Sequence, residues 1–197
     1  MIKGVFFDVG GVLQKGEIEI FYKALCEKLG LHYERFMDLH SRHKKDLMAG
    51  KMQVSGFAKE AEKEFGIDCQ YPCLWKEVFL EALPINADTL EIARRLSKKF
   101  IVGIISNAMD EYEMINSERE LYKGFNPVIL SCRCGFFKPQ KEIFELALKA
   151  AGLNAEECVF IDDREKLLET PKEMGFKTIL FKDSTQLESE LKDLNLI

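Results

Sequence analysis

A chain of 197 residues with 47% hydrophobic and 31% charged side chains has the composition of a globular protein, and its size allows one α/β domain with an insertion or two small domains. Its 28 basic and 33 acidic side chains leave a net charge of −5, which argues against a general nucleic-acid surface, and no apolar run approaches the roughly 20 residues of a membrane span. Lys3 and a short apolar run before Asp8 lack the length of a secretory signal, so a cytoplasmic protein with reduced thiols is expected.

Gly4 to Phe7 reads as a buried strand that ends on Asp8, Gly10 and Gly11, where a strand stops and a tight turn begins. Ile18, Phe21, Tyr22, Leu25 and Leu29 then recur at helical spacing before Gly30. Three further amphipathic patterns follow: Tyr33 to Met48 before Gly50, a run with Phe57, Ala61 and Phe65 that starts after Ser55, and Leu74 to Ala82 before Pro84. With no strand among them, residues 16–83 read as a helical insertion between residues 1–15 and 84–197.

From residue 86 strands and helices alternate. A helix capped by Asn86 or Asp88 and ending in cations spans residues 86–99, and an apolar strand over 100–105 ends on Ser106 and Asn107. A polar helical stretch runs to Lys123, a short strand covers 127–130, and Lys138-Pro139 opens a helix over 140–151, with Pro139 expected in its first turn. The strand 157–161 runs into Asp162-Asp163, and a helix over 165–174, a strand over 177–181 and a helix over 186–194 complete the chain. This alternation predicts an α/β fold with a parallel, Rossmann-like sheet whose carboxyl edges face one way. The pairs Cys69/Cys73 and Cys132/Cys134 miss the two-residue spacing of a zinc knuckle and have no histidine beside them, so buried thiols are the simpler reading.

One sheet edge would gather Asp8, Ser106 and Asp162-Asp163, with Lys138 delivered by a loop. Singly, these have plain readings: Asp8 in a turn, Ser106-Asn107 as a helix cap, Lys138 as a solvated lysine. Adjacent acids after a buried strand repel each other and call for a cation or several donors. Together the parts suit phosphoryl transfer. Asp8 and one of Asp162 or Asp163 can hold Mg²⁺, an Asp8 oxygen can attack phosphorus, and Ser106 and Lys138 can stabilise charge on the equatorial oxygens.

Phe6-Phe7-Asp8-Val9-Gly10-Gly11-Val12, Ile104-Ile105-Ser106-Asn107, Phe137-Lys138-Pro139 and Phe160-Ile161-Asp162-Asp163 resemble, in order, the four motifs of the haloacid dehalogenase-like hydrolase superfamily. The resemblance covers nearly the whole chain and extends to the phosphatase branch with a small helical cap, which the insertion matches. It implies Asp8 as nucleophile, and Ser106, Asn107 and Lys138 around the phosphate of a small phosphorylated substrate. It also implies Mg²⁺ held by Asp8, the Gly10 carbonyl and Asp163, with Asp162 nearby.

Two departures stand out. Phosphatases resembling this chain carry a second Asp two residues after the nucleophile as general acid and base, and here that residue is Gly10; an Asn often found after the fourth motif is Leu167. The missing acid narrows the expected substrates to those with good leaving groups, such as anomeric, acyl or aryl phosphates. It also leaves two rivals: a catalytically weak binding or regulatory protein, and a metal-free haloacid dehalogenase, in which the Asp162-Asp163 pair has no role. His32, His40 and His43 are the candidates to replace the acid, while the helical spacing of Phe21, Tyr22, Met48 and Trp75 is that of core residues.

Overall fold

The computed structural model describes all 197 residues. Gly4–Phe7 forms β1, and β2 (Ile101–Ser106), β3 (Val128–Leu130), β4 (Cys158–Asp162) and β5 (Lys177–Leu180) join it in one parallel sheet ordered β3-β2-β1-β4-β5. Phe7 lies beside Ile104 on one side and Ile161 on the other. The strand ends bearing Asp8, Ser106 and Asp162 are therefore level.

After β1 the chain builds four helices, α1 (Ile18–Leu29), α2 (Tyr33–Met48), α3 (Val54–Phe65) and α4 (Cys73–Ala82). They pack on one another around Phe21, Phe36, Phe57, Trp75 and Phe79. α5 (Ala87–Leu96) then returns to the sheet. α6 (Asp110–Glu118), which follows β2, sends Tyr112 and Ile115 into the apolar cluster of the four helices, and Asp110 accepts the Val54 N–H at 2.9 Å. Two chain linkers alone do not hold the helical layer to the sheet; a shared core does.

A short α7 (Ser131–Cys134) follows β3, and α8 (Lys141–Ala151), α9 (Glu169–Glu173) and α10 (Ser184–Asp193) complete the fold. α5 and α10 cover the sheet face carrying Val5 and Phe7, while α8 covers the face carrying Phe6 and Phe160. Burial on both faces explains why the strands are continuous apolar runs instead of alternating ones. No helix is long and apolar enough to cross a membrane, and the six cysteines form no disulfide.

Several local expectations are corrected. Pro139 stands before the N-cap Gln140 and outside α8, because Lys138-Pro139 form a tight turn: the Gln140 backbone N–H donates to the Phe137 carbonyl at 2.8 Å and the Gln140 side chain accepts the Phe137 N–H at 2.8 Å. The helix expected over 165–174 is split into a 3-10 turn, Glu165–Leu167, and α9, since Pro171 offers no N–H to continue one helix through Leu167. Asn86 does precede α5, but its side chain makes no cap; its amide donates to the Val12 carbonyl at 3.1 Å and ties α5 to the turn after β1. α6 stops at Glu118 instead of running to Lys123.

Candidate active site

β1 is followed by β2 on one side, while β4, reached only after β3, returns to the other. Strand order reverses at β1, and the crevice beyond the strand ends at such a point is where open α/β sheets take ligands. Asp8 enters it with its backbone N–H bonded to the Ile161 carbonyl at 2.9 Å. The chain then turns through Val9–Leu13 and comes back, Gln14 pairing with Ile85 so that both connections to the helical layer start side by side.

The two glycines of this turn have different reasons to be there. Gly11 takes φ +73°, and a Cβ on it would lie 2.0 Å from Asp163 Oδ2. Gly10 has φ −64° and ψ 132°, open to any residue, and nothing stands within 4 Å of where its Cβ would be.

Lys138 is the electrostatic centre. Its side chain is fully enclosed, with Nζ 2.5 Å from Asp162 Oδ2, 2.9 Å from Asp8 Oδ1 and 5.2 Å from the centre of the Phe160 ring. Asn107 fixes it from outside: the side-chain oxygen accepts the Lys138 N–H at 2.7 Å and the amide donates to the Lys138 carbonyl at 3.0 Å. Asn107, expected to bind substrate, thus uses its side chain to position the lysine. Neither plain reading holds, since Lys138 is buried and α6 is capped at Met109, not at Ser106-Asn107.

Asp8, Asp162 and Asp163 bring carboxylate oxygens within 4.8 Å of one another. One lysine cannot balance three such charges. Asp162 is satisfied, with Oδ2 on Lys138 and Oδ1 accepting the Arg164 N–H at 3.0 Å. Asp163 Oδ1 is buried with no partner, and Asp8 Oδ1, although near Nζ, lacks the alignment of a hydrogen bond. Burial, reinforced by the charges of Asp8 and Asp162, pushes the Asp163 carboxyl up to about 7. Burial also raises Asp162, against the pull of Lys138.

A cavity of about 430 Å³ lies between this centre and the helical layer. Gly10, Ser106, Asn107 and Lys138 form its floor, and Asp8, 3% exposed, sits directly beneath. Tyr22, His40 and Met48 reach it from α1 and α2, so Tyr22 and Met48 face the site as well as the core, whereas Phe21 and Trp75 are core alone. His40 Nε2 lies 2.9 Å from the Tyr22 hydroxyl, which accepts from Tyr112 at 3.3 Å. Burial, with Lys44 and His43 nearby, lowers the imidazole to about 4. His32 and His43 do not line the cavity.

Sequence reasoning missed Gln14, Asn116, Tyr112 and Tyr122, which also line it. Asn116 donates to Gln14 Oε1 at 3.0 Å across a separation of 102 residues, and no local pattern signals such a pair.

The family model for haloacid dehalogenase-like hydrolases matches residues 2–181. The chain belongs to that family. Bifunctional epoxide hydrolase 2 from Rattus norvegicus is 27% identical over 94% of this chain but only 37% of its own, so the chain spans little more than a third of that relative. A D-ribitol-5-phosphate phosphatase from Bacteroides thetaiotaomicron is 25% identical over 97% of each chain. Among solved structures, a HAD family enzyme from the same organism, in complex with magnesium and inorganic phosphate, superposes with a TM-score of 0.72 at 21% identity, covering 93% of this chain and 96% of its own.

The donors of this HAD-like hydrolase fit a hard divalent cation. They are all oxygen, they carry excess negative charge, and two buried carboxylate oxygens, on Asp8 and Asp163, have no hydrogen-bond partner.

Proposed function

We propose that this hydrolase is a Mg²⁺-dependent phosphatase of small phosphorylated metabolites, working through a phosphorylated Asp8. The observation that carries the reading is three carboxylates and one enclosed lysine under a cavity floored by Ser106 and Lys138. The phosphatase names of near relatives, and the magnesium and phosphate bound by the structural neighbour, point the same way.

Asp8 and Asp163 would hold the ion through their unpartnered oxygens, with the Gly10 carbonyl beside them; Asp162, engaged by Lys138 and the Arg164 N–H, shapes the site from behind. Bound there, Mg²⁺ supplies charge neutralisation to the carboxylates and to the phosphate. Lys138, no longer the lone counter-ion, is then free to meet a phosphate oxygen together with the Ser106 hydroxyl. An Asp8 carboxylate oxygen attacks phosphorus as the ester bond breaks, and water then attacks phosphorus and releases the Asp8 carboxylate. The helical layer closes the leaving group's side of the site, excluding bulk water from the reacting centre.

A panel of alkyl, acyl and aryl phosphates, assayed with Mg²⁺ and with chelator, tests this. Turnover should need Mg²⁺ and fall on the order of 10⁴-fold or more in Asp8→Asn. Asp163→Ala should raise the Mg²⁺ requirement more than Ser106→Ala does; equal metal titrations would overturn the ligand assignment. No metal-dependent turnover across the panel would leave a binding or regulatory protein instead.

A further inference from the structure

We infer that the preferred substrates are aryl phosphates, whose oxygen leaves as a phenolate without being protonated. The inference rests on the phosphatase reading and deepens it.

The first ground is the absence of a proton donor matched to an alkoxide. Gly10 leaves open space where a side chain would reach the cavity. The acidic centre lies beneath the floor, and the one carboxyl group lining the cavity, Glu19, belongs to the first turn of α1. His40 is tied at Nε2 to Tyr22, and burial raises the Tyr22, Tyr112 and Tyr122 hydroxyls above their usual range, which makes them weaker acids. The other lysines on the lining, Lys44 and Lys45, belong to α2, so apart from Lys138, which is committed to the phosphate, no donor is built beside Asp8 to protonate the alkoxide of an alkyl ester. A phenolate leaves by itself.

The second ground is the shape and chemistry of the leaving-group space. At about 430 Å³ the cavity falls in the range of roughly 300–1,000 Å³ that takes a drug-sized ligand, far more than a phosphate needs. Its walls carry the thioethers of Met37, Met48 and Met109 and the rings of Phe79 and Tyr112, which stack 5.0 Å apart at 18°. Thioethers and ring edges suit a flat aromatic body, and the nearby amides of Gln14 and Asn116 are already paired with each other at 3.0 Å. A third observation comes from Tyr122, whose hydroxyl is buried with no hydrogen-bond partner while the residue lines the same cavity. A polar ring substituent would satisfy it.

In the phosphorylation step the Asp8 oxygen bonds to phosphorus, the phosphorus–aryl oxygen bond breaks, and its electron pair leaves on the phenolate, which takes a proton from solvent. Water then bonds to phosphorus, the Asp8–phosphorus link breaks with its pair returning to the carboxylate, and the water's proton passes to the released phosphate or solvent.

The test compares kcat/KM of the Mg²⁺-loaded protein on phenyl phosphates of graded phenol acidity, on 2-naphthyl phosphate, and on glycerol and pentose phosphates. Aryl substrates should lead alkyl ones by about 100-fold or more, with rates climbing as the phenol becomes more acidic. Naphthyl phosphate should show the lower KM of the two ring sizes. Gly10→Asp, which places a carboxyl group in the open space, should raise alkyl turnover by about tenfold or more and flatten the dependence on phenol acidity. Alkyl phosphates matching aryl ones in the unmodified protein, or no response of the acidity dependence to Gly10→Asp, would overturn the inference while the phosphatase reading stands. Failure of every phosphate with Mg²⁺ would overturn both.

Discussion

Lys138 on the floor of the cavity and His40 in its roof are equally hidden, 2% and 3% exposed, yet they sit in opposite surroundings. Lys138 faces two carboxylates at hydrogen-bonding distance, and a third stands close by. His40 faces the Tyr22 hydroxyl and the rings of Tyr22 and Phe57, and burial, with Lys44 and His43 nearby, drives it toward the neutral form. Burial tolerates charge only where opposite charge is supplied. The floor therefore holds more negative charge than its one lysine balances. The roof is ordinary packing that borders the same space.

Removing the lysine breaks this contrast most strongly. Lys138→Met leaves buried carboxylates uncompensated and should cost about 3–5 kcal/mol in chelator, measured by urea denaturation. Adding Asp162→Asn should recover a large part of the loss, because one of the stranded charges disappears with it. In the roof, Tyr22→Phe removes one hydroxyl from the Tyr112–Tyr22–His40 chain and should cost only about 0.5–1.5 kcal/mol. Equal costs on the two sides would mean that the floor is held by packing and not by charge.

The same contrast explains what the sequence disclosed. Asp8, Ser106 and Asp162-Asp163 were legible because each stands at the end of an apolar run, and the alternation of strands and helices brings those ends to one edge. The pattern also marked all four insertion helices, each closed by a glycine or followed by a proline. It did not show Asn107 holding Lys138, which depends on a loop meeting a strand end 31 residues away. Nor did it show that Tyr22 and Met48 face the cavity, because helical spacing says which residues are buried and not what they are buried against. The break at Leu168 was written in the chain as Pro171, but the apolar spacing of 165–174 masked it.

Titration offers a subtler separation of floor from roof. The folded Asp163 carboxyl, at about 7, lies above its usual value near 4, so between those pH values the native state binds more protons than the unfolded one. Its contribution to stability is lost as pH rises through that window. His40 has the opposite sign. Its folded value of about 4 lies below the usual value near 6.5, so the native state binds fewer protons there and stability is lost as pH falls. In chelator, Asp163→Asn should leave the rise of stability from pH 4 to 6.5 steeper, and His40→Gln should leave the fall toward pH 7 steeper. Identical pH slopes in the two variants would refute this division. Saturating Mg²⁺ should abolish the Asp163 loss, because the ion favours the charged carboxylate.

The two glycines of the turn give effects that differ in sign, the smallest of all being at Gly10. Gly11→Ala places a side chain at φ +73° and a Cβ 2.0 Å from Asp163 Oδ2, so it should cost about 1–2 kcal/mol for the backbone alone and further weaken Mg²⁺ binding by displacing that carboxylate. Gly10→Ala meets no atom within 4 Å and keeps a backbone that alanine adopts freely, so it should stabilise the fold by about 0.4–1 kcal/mol through the unfolded chain. Thermal melts and Mg²⁺ titrations of the two variants read both effects. If Gly10→Ala is instead destabilising, the turn needs glycine there for its own conformation. If it stabilises, nothing in the fold requires glycine at residue 10.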